Sequence, residues 1–238
     1  MASAPETSAR PARISRFSVA ERLLHWLLAV TFFVMLGSGL ALYVPALSNL
    51  VARPTAKAWH IDASLALLAG VAVLLITHWS ELRATLRELD RFDRHDASWL
   101  RGAPRHLLSC RPSPPQRRFN AGQKLNSALV AGLMGVAFLT GFLLWYGERN
   151  TRYRFAGTVI VHDWAMFALI ILVAGHLYLA LVHPSTRHAL RGIILGSVNR
   201  EWARRHHATW VAEQEADEQR TGAPSPTDPR SSSSSDSS

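Results

Sequence analysis

Cysteine is all but missing. Cys110 is the one cysteine in the chain, so no intrachain disulfide forms. No Cys-x-x-Cys pair exists to attach a haem covalently, hold zinc or ligate an iron–sulfur cluster. Cys110 sits in an Arg/Pro-rich stretch and reads as a bystander. Acidic residues are scarce too: 17 Asp and Glu stand against 26 Lys and Arg. Charge of either sign is absent from three long blocks, 23–52, 63–80 and 125–147, and a fourth, 157–184, holds Asp163 alone. No base-reading or RNA-binding module accompanies the basic surplus, which excludes nucleic acid as the partner.

Those blocks are what the sequence has in abundance. A helix that crosses the hydrocarbon core needs about 20 consecutive apolar residues, and all four reach that length. Helices of a soluble protein carry a polar face; these are apolar all round. The expected fold is therefore all-α, an integral membrane four-helix bundle with spans at about 23–44, 59–79, 125–146 and 158–182. The first block is too long for a signal-peptide core and lacks a convincing cleavage site, so it reads as a retained signal anchor in contact with membrane lipid. Residues 1–15 are polar and rich in Ala, Pro and Ser, the pattern of a disordered arm, and 216–238 close in a Ser run, a low-complexity and disordered tail. Residues 16–215 form the membrane domain. Within it, Glu81 to Arg94 suits a short helix, Arg111 to Pro115 is irregular, and 187–215 reads as one amphipathic helix carrying Trp202 and Trp210.

The basic residues give an orientation. Twenty-one of the 26 Lys and Arg fall in the N-terminal arm, the segment 80–124 and the C-terminal segment, and five fall in the short loops 47–58 and 148–158. The positive side of a membrane protein is cytoplasmic. Both termini and the long loop are expected there, in a bacterial inner (plasma) membrane.

Ionisable groups inside a bilayer are costly and mark function. His25, His60, His78, His162 and His176 lie within the expected spans or at their ends. His162 and His176 are 14 residues apart, about 40° short of four full turns, so both face one side of the fourth span, about 21 Å apart along its axis. Such a helix offers one imidazole to each leaflet. The connectivity brings a mate to each: His60, early in the second span, meets His162 on the outer side, and His25, early in the first, meets His176 on the cytoplasmic side. Two b-type haems, each held by two histidines, are the chemistry this suggests. His78, 18 residues after His60, is a rival for the inner site, but it sits at the very end of its helix. Gly39, 14 residues after His25, is expected at the outer haem's depth, leaving room for the macrocycle. Ser38, Gly132, Gly135 and Gly141 also allow close approach, and Arg22 and Lys57 are candidates for the propionates. The remaining histidines lie in polar or interfacial segments. A haem-free membrane anchor and a small transporter are the alternatives from other classes.

Four pieces of sequence carry a resemblance: ERLLHW at the first span, FNAGQK before the third, VHDWAMFALIILVAGHLYLALVH through the fourth, and VNREWARRHHATW after it. Over about 16–215 the chain resembles the gamma subunit of respiratory formate dehydrogenase, a cytochrome b556. Its haem bundle is shared by the cytochrome b subunits of nickel–iron hydrogenases and thiosulfate reductases. The resemblance implies that His25, His60, His162 and His176 ligate two haem b groups. It implies an iron–sulfur beta subunit and a molybdenum or tungsten catalytic alpha subunit as partners, so that no formate-oxidising site is expected on this chain. Electrons would pass inward to menaquinone or ubiquinone on the cytoplasmic side. The family's quinone pocket falls at Asn120, Ala121, Gly122 and Gln123, where Asn120 and the backbone at Gly122 would hydrogen-bond the quinone. The same residues also make a good helix cap. Asp62 and Asp163, beside the two outer histidines, depart from that pattern. A hydrogenase-type or other reductase subunit is the nearest rival reading.

Overall fold

The structure is a computed structural model that describes residues 12–109, 114–184 and 186–222. It is all-α apart from one small two-stranded sheet. Four helices are long and apolar enough to cross a membrane: α1 (Val19–Tyr43), α2 (Arg53–Thr77), α5 (Ala121–Gly147) and α6 (Thr158–Leu177). The last turn of α6 widens to π geometry over Tyr178–Val182, just past His176.

Local chemistry explains where the spans start. Ser18 caps α1 in a capping box: its hydroxyl accepts from the Glu21 amide at 3.2 Å, and the Glu21 carboxylate accepts from the Ser18 amide at 2.8 Å. Asn120 and Gln123 repeat that box at α5, at 2.9 and 3.1 Å. Such caps contribute about 1 kcal/mol each. Pro54 opens α2, where its missing N–H costs nothing. Gly157, with φ of 85°, turns the chain into α6.

The spans form two hairpins. α1 packs along α2, and α5 along α6, while close backbone contact between the hairpins is sparse. Large apolar side chains face outward, with Ile76, Ile171 and Trp164 exposing 82, 72 and 69% of their surface. An apolar surface of that extent is stable only in lipid; the chain is a membrane protein.

One end of the bundle carries a cap. Strand β1 (Arg13–Ser15) pairs antiparallel with β2 (Ser197–Asn199), with Ile14 opposite Val198. Around them lie α3 (Trp79–Asp90), α4 (Arg94–Ser109), α7 (Leu190–Leu195), α8 (Arg200–His206) and α9 (Ala208–Gly222). Ile14, Val198, Trp202, Ala203, Trp210 and Val211 form its apolar core. Lys124 and Asp96 make a buried ion pair of 2.7 Å beneath it.

The cap corrects several expectations. The N-terminal arm is ordered from Arg13, because Ile14 is buried in the cap core; residues 1–11 lie outside the described residues. The segment 187–215 is not one amphipathic helix. Gly196, with φ of 80°, breaks it, β2 follows, and Asn199 caps a new helix by accepting from the Trp202 amide at 3.0 Å. Helix also runs past 215 to Gly222, and Glu218 within it meets Arg200 at 2.9 Å, so residues 216–222, expected in the tail, are helical. The rest of that tail, from 223, lies outside the described residues, as do Cys110 and residues 111–113 of the irregular stretch. The short helix expected over 81–94 is α3, and α4 after it was not foreseen. The second span ends at Thr77 rather than Trp79, and after a non-helical His78 the next helix, α3, starts at Trp79.

Candidate haem-binding site

The four histidines singled out in the sequence meet in two pairs between the hairpins. His60 on α2 faces His162 on α6 with ring centroids 6.1 Å apart, at the end far from the cap. His25 on α1 faces His176 on α6 at 6.2 Å, towards the cap. That spacing has a chemical meaning. Two metal–imidazole bonds of about 2 Å and two ring radii of about 1.1 Å separate the centroids by about 6.2 Å. Direct ring stacking would bring them closer; what sets these contacts apart is that each joins two histidines across the hairpins, at two depths.

The cap-distal pair is tied down. The Nδ1 of His60 donates to the Met35 carbonyl at 2.9 Å and lies 3.2 Å from Ser38 Oγ. A carbonyl only accepts, so Nδ1 carries the proton and Nε2 is left with its lone pair. The Nδ1 of His162 lies 2.9 Å from Thr140 Oγ1. Each hydroxyl gives its own hydrogen to a carbonyl of its helix, Ser38 to Val34 and Thr140 to Val136, both at 2.7 Å. Their lone pairs are thereby turned to the imidazoles. Gly39 and Gly141 lie against these rings: a Cβ on either would stand 3.3 Å from the Cε1 of His60 or His162. Gly39 thus lies at the level its spacing from His25 implied. Gly132 and Gly135 instead face open space.

The cap-proximal pair is built differently. The Nδ1 of His25 is buried without a hydrogen-bond partner among the described residues, and its ring meets Trp26 edge-on at 5.4 Å. His78 lies at the C-terminus of α2 and bonds to Thr77 Oγ1 at 2.7 Å; it is His25 whose ring faces His176.

No group of three or more His, Cys, Asp or Glu is gathered to hold a metal ion among the described residues. A metal held by protein alone takes three or four such ligands. Pairs suit a prosthetic group that brings its own equatorial donors, and haem b, which the resemblance implies, fits that requirement. The glycine flanks and the sparse contact between hairpins leave the approach that a flat macrocycle needs.

The expected quinone residues are together at the start of α5, but their side chains are occupied. Asn120 and Gln123 bond each other's backbone in the capping box, and Gln123 Oε1 also accepts from Arg16 at 3.4 Å. Gly122 lies under Trp99, whose ring a Cβ would meet at 2.7 Å. Burial, then the neighbouring Arg118 charge, lowers the pKa of Arg16 to about 9 against the opposing pull of Glu21. The propionate candidates are engaged elsewhere: Arg22 donates to the Ile194 carbonyl at 3.0 Å, and Lys57 pairs with Glu148. Asp62 is exposed and Asp163 half-buried. Sequence reasoning missed Thr140 and saw Ser38 only as a small residue. The available signal was a Ser-Gly or Thr-Gly step lying 22 residues before each distal histidine.

Comparison with known proteins agrees with this architecture. The cytochrome b556(Fdn) subunit of the nitrate-inducible formate dehydrogenase of Escherichia coli K12 is 25% identical over 210 residues, covering 85% of this chain and 92% of that one. The cytochrome b556(fdo) subunit of formate dehydrogenase from the same organism is 24% identical over 209 residues, covering 84% and 92%. The formate dehydrogenase cytochrome b556 subunit of Haemophilus influenzae is 23% identical over 210 residues, covering 85% and 84%. The family model for prokaryotic cytochrome b561 matches residues 16–196, from just after β1 to just past α7. With its four spans and paired histidines inside that match, the chain belongs to the prokaryotic cytochrome b561 family.

Proposed function

We propose that this chain is the membrane cytochrome b subunit of a respiratory formate dehydrogenase, holding two b haems and delivering electrons to a quinone. The observation that carries the reading is the repeated centroid spacing of 6.1 and 6.2 Å in two histidine pairs at two depths. His60 and His162 would hold one haem and His25 and His176 the other. When bound, haem supplies a one-electron couple at each level.

The chain's own residues set everything else. α6 fixes the two levels about 21 Å apart by helix rise alone. His25, His60 and His162 are half-buried between the hairpins, and the distal imidazoles are held through Nδ1. The basic surplus supports a cytoplasmic cap, with the histidine pair far from it on the outer side. Electrons would enter there from an iron–sulfur subunit that serves a molybdenum or tungsten catalytic subunit, in a bacterial inner membrane. Moving one charge inward against the membrane field does work of about 2.3 kcal/mol per 100 mV. At the cytoplasmic end, the backbone N–H of Gly122, which neither the capping box nor the Gln116 side chain takes, would donate to a quinone carbonyl as charge develops on it. Menaquinone and ubiquinone both suit that chemistry.

The test is a reduced-minus-oxidised spectrum with haem quantitation on the purified full chain. Two b haems per chain are expected; none or one overturns the reading. Co-purification with a formate-oxidising subunit, against a hydrogen-oxidising one, tests the partner.

A further inference from the structure

The two hairpins make the same contacts at positions 102 residues apart. Arg16 donates to the Arg118 carbonyl at 2.7 Å, and Arg118 donates back to the Arg16 carbonyl at 3.1 Å, each across 102 residues. Phe17 and Phe119 pack against each other with centroids 6.0 Å apart. Ser18 and Asn120 head the two capping boxes, which Glu21 and Gln123 complete. Each of those acceptors receives the arginine of the other half: Arg118 reaches Glu21 at 3.1 Å and Arg16 reaches Gln123 at 3.4 Å. At the far end, Ser38 and Gly39 stand to His60 as Thr140 and Gly141 stand to His162. Even the carbonyls match, with Met35 bonding His60 and Ala137 facing His162.

Contacts that reciprocate residue by residue require a two-fold axis. It relates α1–α2 to α5–α6 and passes between Phe17 and Phe119 at one end and between His60 and His162 at the other. The symmetry stops at the other pair: the counterpart of His25 is Ser127, and that of His176 is Leu74. The cap-distal site therefore sits on the axis, with two equivalent halves, and the cap-proximal site lies off it.

We propose that Ser38 and Thr140 are matched positioning residues for the axial site, fixing the tautomer and aim of His60 and His162. This rests on the reading that those two histidines share a haem. Because each hydroxyl hydrogen is committed to a backbone carbonyl, the oxygen faces the ring as an acceptor. It holds the proton on Nδ1, turns the lone pair of Nε2 towards the opposite imidazole, and makes that nitrogen a stronger donor. A more basic ligand favours the oxidised metal, so the hydroxyls hold the potential of this site down. Thr140 is the shorter partner of its ring, at 2.9 Å, whereas His60 has the Met35 carbonyl at 2.9 Å and Ser38 only at 3.2 Å. Thr140 therefore carries more of the effect.

The test uses the full haem-loaded chain with Thr140→Val, which keeps the volume, Ser38→Ala, and Thr140→Ser as the conservative rescue. Potentiometric titration follows the two reduction steps, and low-spin electron paramagnetic resonance follows the two haems. His162→Ala and His25→Ala identify which step belongs to which pair. The expected result is that Thr140→Val keeps both haems and shifts the axial step to higher potential with the other unmoved. Ser38→Ala shifts the same step less, and Thr140→Ser restores the original value. An axial step indifferent to Thr140→Val, or a shift shared equally by both steps, overturns the positioning role while leaving ligation intact. A wild-type chain whose spectrum His162→Ala does not change overturns the ligation reading and this one with it.

Discussion

The two histidine pairs share a spacing and little else. At the pair far from the cap, both rings are held through Nδ1 by the neighbouring helix of their own hairpin and lie against glycine. At the pair near the cap, His25 has a buried Nδ1 without a partner among the described residues, and an indole edge in place of a hydroxyl. The first site is oriented by the protein before anything binds, and the second depends more on what it binds. Preorganised ligands lose less freedom when they coordinate, and their hydrogen bonds tune the metal. As the haem ligands proposed above, two chemically identical histidine pairs would thus differ in both affinity and potential.

The largest effect should come from removing ligands. His162→Ala is expected to take away one b haem of two and leave the other, and His176→Ala the reverse, read as haem per chain with one spectral component lost each time. His25→Ala should behave like His176→Ala, while His78→Ala should keep both haems. Loss of the cap-proximal haem in His78→Ala, with His25→Ala retaining it, would reverse the assignment of that pair.

A second contrast lies between the two ends. Near the cap, Lys124 and Asp96 pair at 2.7 Å with only 2 and 3% of their side chains exposed. At the far end, Lys57 in the first turns of α2 and Glu148 just past α5 join the two hairpins with about half of each side chain in solvent, at 46 and 48%. Breaking a buried pair leaves an uncompensated charge, at about 3–5 kcal/mol, whereas an exposed pair contributes about 0–1 kcal/mol. Asp96→Ala should therefore lower the thermal midpoint of the purified chain far more than Glu148→Ala does. Asp96→Leu combined with Lys124→Met should recover much of the loss. Equal midpoints for the two single variants would show that the cap does not anchor the bundle.

The same contrast explains what the sequence made legible. The spans were legible because a bilayer demands charge-free runs, and 125–147 has no other use for its composition. The histidine pairs were legible because α6 converts a 14-residue spacing into depth and direction. The cap was not. Residues 94–109 hold charges of both signs and carry Gly102 and Pro104, which argue against a helix, and a three-residue strand such as β1 leaves no period to count. The internal repeat was hidden for a further reason. Its identical positions (Arg16 and Arg118, Phe17 and Phe119, Gly39 and Gly141, His60 and His162) are scattered, and between them Asn replaces Ser, Gln replaces Glu and Thr replaces Ser, so the reciprocal contacts show it more clearly than the sequence does.

The smallest expected effect comes from the glycines that flank the axial rings. A Cβ on Gly39 or Gly141 would stand 3.3 Å from an imidazole carbon, tighter than ordinary van der Waals contact, so the ring must shift by a few tenths of an ångström. Overpacking of that kind costs about 1–3 kcal/mol in a rigid core, and a helical Gly→Ala change returns up to about 1 kcal/mol in propensity. The balance leaves the fold nearly unchanged and puts the strain on the rings. Gly141→Ala and Gly39→Ala should each keep two haems but alter the electron paramagnetic resonance signal of the axial one, because that signal reports the angle between the imidazole planes. The two-fold relation predicts that the two variants act alike, and that Gly132→Ala, facing open space in the same helix as Gly141, does not reproduce their change at His162. A Gly39→Ala chain that alters the cap-proximal signal instead would place the glycine outside the axial site and break the equivalence of the two halves.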